Sequence, residues 1–257
     1  MALAEFSFFA RSIGLMSRLS ALLPDAADGP FPVLYLLHGL GDDSSTWLRL
    51  TSLERYAFGL PLIIVMPETA RGWYTNSASP AGRPYEDHLL KDVIPFVDRL
   101  LPTLPERRGR AIGGLSMGGY GAFKAALKFP DTFCSAHSHS GALLTPLNNL
   151  THPHRDLEPY RPEFQAIFGD SWNGGDNDLR LLAARCPHAL RPALRLDCGT
   201  DDFLLDQNRQ FHSLLHSLSY PHEYLEFPGD HNWSYWDTHI QEALTFHRRA
   251  LGIPDLS

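Results

Sequence analysis

The sequence predicts an α/β fold: a mostly parallel central sheet with helices on both faces. Two observations predict it. Unbroken apolar runs of strand length recur along the chain, such as Val33-Leu34-Tyr35-Leu36-Leu37 and Leu62-Ile63-Ile64-Val65-Met66, the composition of strands buried on both faces. Segments of helical length and periodicity stand between them, and alternation of this kind implies βαβ units. At 257 residues, with 44% hydrophobic and 20% charged residues, the chain is long enough to bury a substantial core without disulfides or metals.

The elements follow in order. A first strand is expected near Glu5–Phe9. A second covers Leu15–Leu23, where Leu15, Ser17, Leu19, Ala21 and Leu23 share one face. These two read as antiparallel, and Asp25 to Pro32 is a Gly/Pro/Asp turn. Buried strands are expected at Val33–Leu37, Leu62–Met66, Arg110–Gly114, Phe133–His137 and Ala193–Cys198, with a more exposed last strand at Glu223–Phe227. Helices are expected over Glu86–Leu101, Met117–Lys128, Leu205–Leu218 and Asn232–Ala250. The stretch from Thr145 to Pro192 breaks the alternation. It is rich in Pro, His, Asn and Asp, with weak helical pieces at Pro162–Phe168 and Leu179–Cys186. It reads as an insertion at about 145–192 over a functional face, within a single domain spanning 1–257.

Composition excludes several functions. A net charge of −7 lacks the basic footprint of a nucleic-acid binder, and Arg107-Arg108-Gly109-Arg110 reads as a solvated turn. The longest apolar stretch, Phe58 to Met66, is too short to span a bilayer and contains Gly59 and Pro61. The opening residues Met1-Ala2-Leu3-Ala4-Glu5 carry no basic region before an apolar run, so no secretion signal is expected. Cys134, Cys186 and Cys198 are odd in number with no CxxC spacing, which fits thiols in a reducing, cytoplasmic setting.

The sharpest chemical signal is Gly114-Leu115-Ser116-Met117-Gly118, a G-x-S-x-G between a buried strand and a helix. That context is what a nucleophile elbow needs and a structural turn does not explain. The strained turn lifts Ser116 Oγ above the sheet, its close quarters demand Gly114 and Gly118, and the Met117 N–H stands at a helix N-terminus, ready for an oxyanion. A serine needs a base and the base an orienting acid, in the chain order Ser, acid, His. Gly199-Thr200-Asp201-Asp202 and Gly229-Asp230-His231 both follow strands at the carboxyl edge of the sheet. His231 is therefore the expected base. Asp202 is favoured as the acid over its neighbours Asp201 and Asp206. The loop His38-Gly39-Leu40-Gly41-Asp42, after the first buried strand, is expected to supply a second oxyanion donor, the Leu40 N–H, with His38 holding the loop. Trp47 and Trp233 are candidate walls of a substrate pocket, while Trp73, Tyr74, Trp172 and Trp236 read as packing. The pairs His137/His139 and His152/His154 have spacing that could ligate a metal, but no third ligand accompanies them, so neither metal nor cofactor is expected.

Leu36-Leu37-His38-Gly39-Leu40-Gly41 with Trp47, Gly113 through Gly119, Phe129-Pro130, Gly199-Thr200-Asp201-Asp202 and His231-Asn232-Trp233 together resemble the esterase D-like branch of the α/β-hydrolases. That branch includes S-formylglutathione hydrolases, tributyrin and feruloyl esterases, and mycolyltransferases of the antigen 85 type. The likeness runs from about Val33 to Phe246. It implies an α/β-hydrolase fold, a Ser116–Asp202–His231 triad, Leu40 and Met117 as oxyanion donors, and a small-molecule ester as substrate. S-formylglutathione hydrolases carry a Ser-Gly-Leu-Thr-Cys type of stretch where this chain has His38-Gly39-Leu40-Gly41-Asp42, so the loop is nearer the tributyrin- and acetyl-type carboxylesterases. The expected activity is hydrolysis of short-chain carboxylic esters through an acyl-enzyme. The alternatives are acyl transfer or thioester hydrolysis on the same triad, and a ligand-binding protein without catalysis.

Overall fold

The computed structural model describes residues 1–25, 28–144, 151–152, 155–156, 158–169 and 175–254; of 151, 152, 155 and 156 only the backbone is described. The apolar runs become strands because no polar side chain interrupts them: every residue of β3 (Val33–Leu37) and β4 (Ile63–Pro67) is buried. They lie in an eight-stranded sheet of order β1-β2-β4-β3-β5-β6-β9-β10. β1 (Ala2–Ala10) and β2 (Leu15–Leu23) form an antiparallel hairpin that joins β4 antiparallel. From β4 through β3, β5 (Arg110–Leu115), β6 (Ser135–His139) and β9 (Ala193–Gly199) to β10 (His222–Phe227), all pairings are parallel. A two-stranded ribbon of β7 (Thr151–His152) and β8 (Arg155–Asp156) stands apart from the sheet, in a stretch for which no clean strand is expected.

Alternation along the strands divides the core. Val33, Tyr35 and Leu37 face one layer and Leu34 and Leu36 the other, as period-two facing requires. The first layer is closed by α4 (Ile94–Leu100), α5 (Met117–Lys128), α7 (Leu179–Arg185) and α8 (Leu205–Ser217), through Val97, Phe123, Leu182 and Phe211. The second is closed by α1 (Thr46–Leu50), α2 (Leu53–Ala57) and α9 (Trp233–Ala250), through Trp47, Leu53 and Ile240. The chain leaves β3 toward β4 on one side and returns to β5 on the other. The crevice at this reversal, above the carboxyl ends of β3 and β5, is where open α/β sheets bind ligands.

Two expected elements are altered. The helix expected over Glu86–Leu101 is α3 (Tyr85–Asp87), a π-helical turn over His88–Val93, and α4. The widened turn precedes Pro95, which lacks an N–H and in a regular helix crowds the carbonyl four residues back. The strand expected at Phe133–His137 runs instead from Ser135 to His139, all five residues buried. Ser135, His137 and His139 point at α9, where polar groups pair with one another. Ser135 Oγ lies 2.8 Å from His247 Nδ1, His247 Nε2 lies 2.6 Å from His137 Nδ1, and the His137 and His139 rings meet tilted at 57° with centroids 4.7 Å apart. His139 Nδ1 meets Asp197 at 2.8 Å, and Arg195 and the Tyr235 hydroxyl donate to the same carboxylate at 3.1 and 3.0 Å. The His137/His139 pair thus belongs to a buried polar stack. Among the described residues no group of three or more His, Cys, Asp or Glu is placed to hold a metal.

This stack makes stability depend on pH. Burial pushes the His247 imidazole down to about 3, with His139 and Arg195 acting in the same direction, and burial likewise pushes His137 down. Between about pH 3 and 6.5 the unfolded chain therefore binds protons that the folded chain refuses. Stability rises with pH through that window and is lost on acidification, by about 1 kcal/mol per pH unit for His247, with His137 acting in the same direction. Urea midpoints measured between pH 4 and 7 should show this slope, and His247→Gln should flatten it by close to one proton. A packing defect alone would lower the midpoints without changing the slope.

Candidate active site

Ser116 sits between β5 and α5 with φ 52° and ψ −114°, a left-handed conformation that costs a non-glycine residue of order 1–3 kcal/mol. Its neighbours hold it there. The Ser116 N–H donates to the His139 carbonyl at 2.9 Å, and its own carbonyl accepts from Tyr120 and Ala142 N–H at 3.1 and 3.3 Å. The flanking glycines are required by close approach. A Cβ on Gly118 would stand 2.4 Å from the Leu37 carbonyl oxygen, and one on Gly114 would stand 2.6 Å from the same atom. Both clashes are with backbone of β3, the strand that leads into the His38–Asp42 loop.

The three polar side chains converge. The Ser116 hydroxyl lies 3.0 Å from His231 Nε2. His231 Nδ1 lies 2.9 and 3.1 Å from the two oxygens of Asp202. Of the three carboxylates near the end of β9, Asp201 and Asp206 are exposed, while Asp202 is buried and faces the imidazole. Thr200 and Asp201 N–H bonds to the Phe227 and Gly229 carbonyls, at 2.8 and 2.9 Å, tie the loops after β9 and β10 together and fix the Asp202–His231 approach. The Asp202 carboxyl is pushed up by burial, but bonds from His231, Ser140 and the Leu204 N–H outweigh this and hold it below the ordinary carboxylate range. His231 is clamped between Phe203, with ring centroids 4.6 Å apart, and Trp236, edge-on at 4.9 Å. Asn232 caps α9 by accepting the Tyr235 N–H at 3.1 Å, so the helix begins directly after the imidazole.

The loop after β3 is pinned from several directions. His38 is buried, its Nδ1 donates to the Gly39 carbonyl at 2.8 Å, and its Nε2 accepts the Thr69 N–H at 3.2 Å. The Tyr74 hydroxyl donates to the His38 carbonyl at 3.0 Å, and the Gly39 N–H donates to Asp42 Oδ2 at 3.1 Å. Burial pushes the Asp42 carboxyl up. Among the described residues, the Leu40 and Met117 N–H groups donate to no other protein group. Both residues flank Ser116, across the crevice and along the chain, and Leu40 lines the cavity with it.

That cavity, of about 410 Å³, opens over Ser116 and His231. Its apolar walls include Trp73, Phe203, Trp233 and Trp236, together with Tyr160 and Phe164 from the stretch between β6 and β9; Asp42, Arg71 and Gln207 supply polar groups. Arg71 donates two 2.7 Å bonds to Glu163 and so ties the wall to α6 (Arg161–Phe168). Trp233 lines the cavity. Trp47 does not: it is fully buried, donates its indole N–H to the Leu37 carbonyl at 3.1 Å, and packs edge-on behind Trp233 at 5.3 Å. Its ring supports the wall and the β3 end without reaching the cavity. Conversely, Trp73 and Trp236, read from sequence as packing, line it. Trp172, and the side chains of His152 and His154, lie outside the described residues. Phe203, Phe164, Arg71 and Gln207 carry no motif that marks them; only Phe203, next to Asp202, had a positional hint.

The chain is similar in sequence and in fold to known proteins. The family described as “Putative esterase” matches residues 11–247. An acetyl esterase of Caldicellulosiruptor saccharolyticus is 26% identical over 95% of this chain and 97% of its own length. An esterase of Mycobacterium tuberculosis is 31% identical over 88% of this chain, which spans only 55% of that relative. Among solved structures, the Staphylococcus aureus fluorophosphonate-binding serine hydrolase FphF, with substrate bound, superposes with a TM-score of 0.84 at 32% identity, covering 96% of this chain and 98% of that one. The S. aureus S-formylglutathione hydrolase FrmB superposes at 0.83, also at 32% identity and the same coverage. The sheet and its helices are those of the α/β-hydrolase fold.

Proposed function

The chain belongs to the “Putative esterase” family and is a serine esterase, and from that premise we propose that Ser116, His231 and Asp202 hydrolyse short-chain carboxylic esters through an acyl-enzyme. The observation that carries the reading is the unbroken relay of Ser116 Oγ, His231 and Asp202, at 3.0 and 2.9 Å, with Ser116 and His231 lining the cavity. The Ser116 oxygen bonds to the acyl carbon as its proton passes to His231 Nε2. The carbonyl electron pair moves onto oxygen, which the Leu40 and Met117 N–H groups receive. Asp202 accepts the His231 Nδ1 proton in a hydrogen bond, sets the tautomer, and stabilises the imidazolium without taking the proton. Collapse expels the alcohol, which takes the proton from Nε2. Water then repeats the sequence and releases the acid.

Similarity to a relative named acetyl esterase supports a short acyl group. On p-nitrophenyl acetate, butyrate, octanoate and palmitate, kcat/KM should peak at the short esters and fall by at least about tenfold by octanoate. A specificity constant that climbs with chain length would overturn the short-chain reading. The likeness to FrmB favours thioester hydrolysis as a second reading; an S-acyl thioester in the same panel ranks the two by kcat/KM.

A further inference from the structure

The sheet ends at β1 on one side and β10 on the other, and the two edges are unlike. β10 is guarded by charge: Glu223 pairs with Arg249 at 2.6 Å and Glu226 with Arg209 at 2.7 Å. Charged side chains of this kind keep an edge strand from pairing with another chain. β1 has almost no such protection. It runs nine residues in unbroken register with β2, from Ala2↔Leu23 to Ala10↔Leu15, so no bulge twists it away. It holds no proline and no lysine, and its one charge is Glu5. Among the described residues no strand pairs with its outer edge. Leu3 and Phe9, near its two ends, are 51% and 60% exposed.

We propose that β1 is the contact between two copies of this chain, which pair antiparallel about a two-fold axis at Phe6 and so continue one sheet through both. Full overlap of the nine residues puts Leu3 against the partner's Phe9 and Glu5 against the partner's Ser7. No like charges then face each other. Ser7 already stands opposite Arg18 on β2. The partner's Glu5 and Arg18 therefore flank this small residue on one face of the sheet, one strand spacing of about 4.8 Å to either side. Both side chains are long enough to meet over it, and neither has an ion-pair partner among the described residues of the single chain. Beside Leu3, a groove lined by Leu48 and Phe58, the latter 65% exposed, and by Thr51, Ser52, Glu54 and Arg55 gives the partner's Phe9 two apolar side chains to pack on within a polar rim. Each contact occurs twice by symmetry. Because both copies use the same edge, the assembly closes at two rather than growing into a fibre.

Sedimentation velocity of the whole chain across the micromolar range tests this. The expected species has the mass of two 28.8 kDa chains. Glu5→Arg alone and Arg18→Glu alone should each weaken association by about tenfold, through two repulsive contacts per dimer. The double variant Glu5→Arg/Arg18→Glu should recover to within a few-fold of the parent, and Phe9→Glu should leave monomer. None of these residues lines the cavity, so esterase turnover per chain should hold in every variant, which also shows that each is folded. A monomer throughout the concentration range, or a dimer indifferent to Phe9→Glu and to the charge exchange, would overturn the proposal.

Discussion

Ser116→Ala is expected to lower kcat on p-nitrophenyl acetate by roughly five to six orders of magnitude, with little change in KM. Among the described residues lining the cavity there is no cysteine, lysine or second serine to take over the attack. The substitution removes only the oxygen that meets His231. The backbone bonds from Ser116 to His139, Tyr120 and Ala142 remain, and alanine tolerates the positive φ no worse than serine. Thermal unfolding should therefore move little, which separates lost chemistry from lost fold. The trace of activity that survives should come from the oxyanion donors and substrate binding.

Asp202→Asn is expected to cost about four orders of magnitude in kcat at neutral pH. The carboxylate is fixed at both ends: Oδ1 accepts the Leu204 N–H at 2.8 Å, and Oδ2 faces His231 Nδ1 at 2.9 Å. In the asparagine the amide oxygen must keep the Leu204 bond, so the NH2 turns to the imidazole. It then donates to Nδ1 and drives the proton to Nε2, where it meets the Ser116 hydroxyl as a donor instead of an acceptor. The base is present but in the wrong tautomer. Rates of fluorophosphonate labelling should fall in parallel with kcat. Asp201→Asn, at an exposed carboxylate one residue away, should leave both nearly unchanged; an equal loss there would move the acid role to Asp201.

Much of this is legible in the residues themselves, and the exceptions share a cause. Val33–Leu37 and the G-x-S-x-G announce strand and elbow, because burial on both faces and steric crowding leave few residue types open. The end of β6 is hidden because Ser138 and His139 look polar yet are fully buried, and the partner that holds His139, Asp197 on β9, is one no local pattern reveals. Short helices α1 and α2, in the loop after β3, go unread because five residues are too few for periodicity. The choice among Asp201, Asp202 and Asp206 turns on which way one loop folds against β10. Trp47 stands inside the core, where its indole N–H donates to the Leu37 carbonyl, while Trp73 reaches the cavity, and local sequence marks neither placement. The cavity walls contributed by Tyr160 and Phe164 come from the stretch between β6 and β9, whose seating depends on contacts such as Arg71–Glu163, 92 residues apart.

The most direct measurement is a rapid-mixing reaction with p-nitrophenyl acetate, quenched in acid, followed by intact and peptide mass spectrometry. A burst of p-nitrophenol equal to the enzyme concentration, with one acetyl group on the peptide containing Ser116 and none on the Ser116→Ala chain, is the predicted result. An acetyl group that maps to another residue, or turnover that survives in Ser116→Ala, would contradict the assignment of Ser116 as the nucleophile.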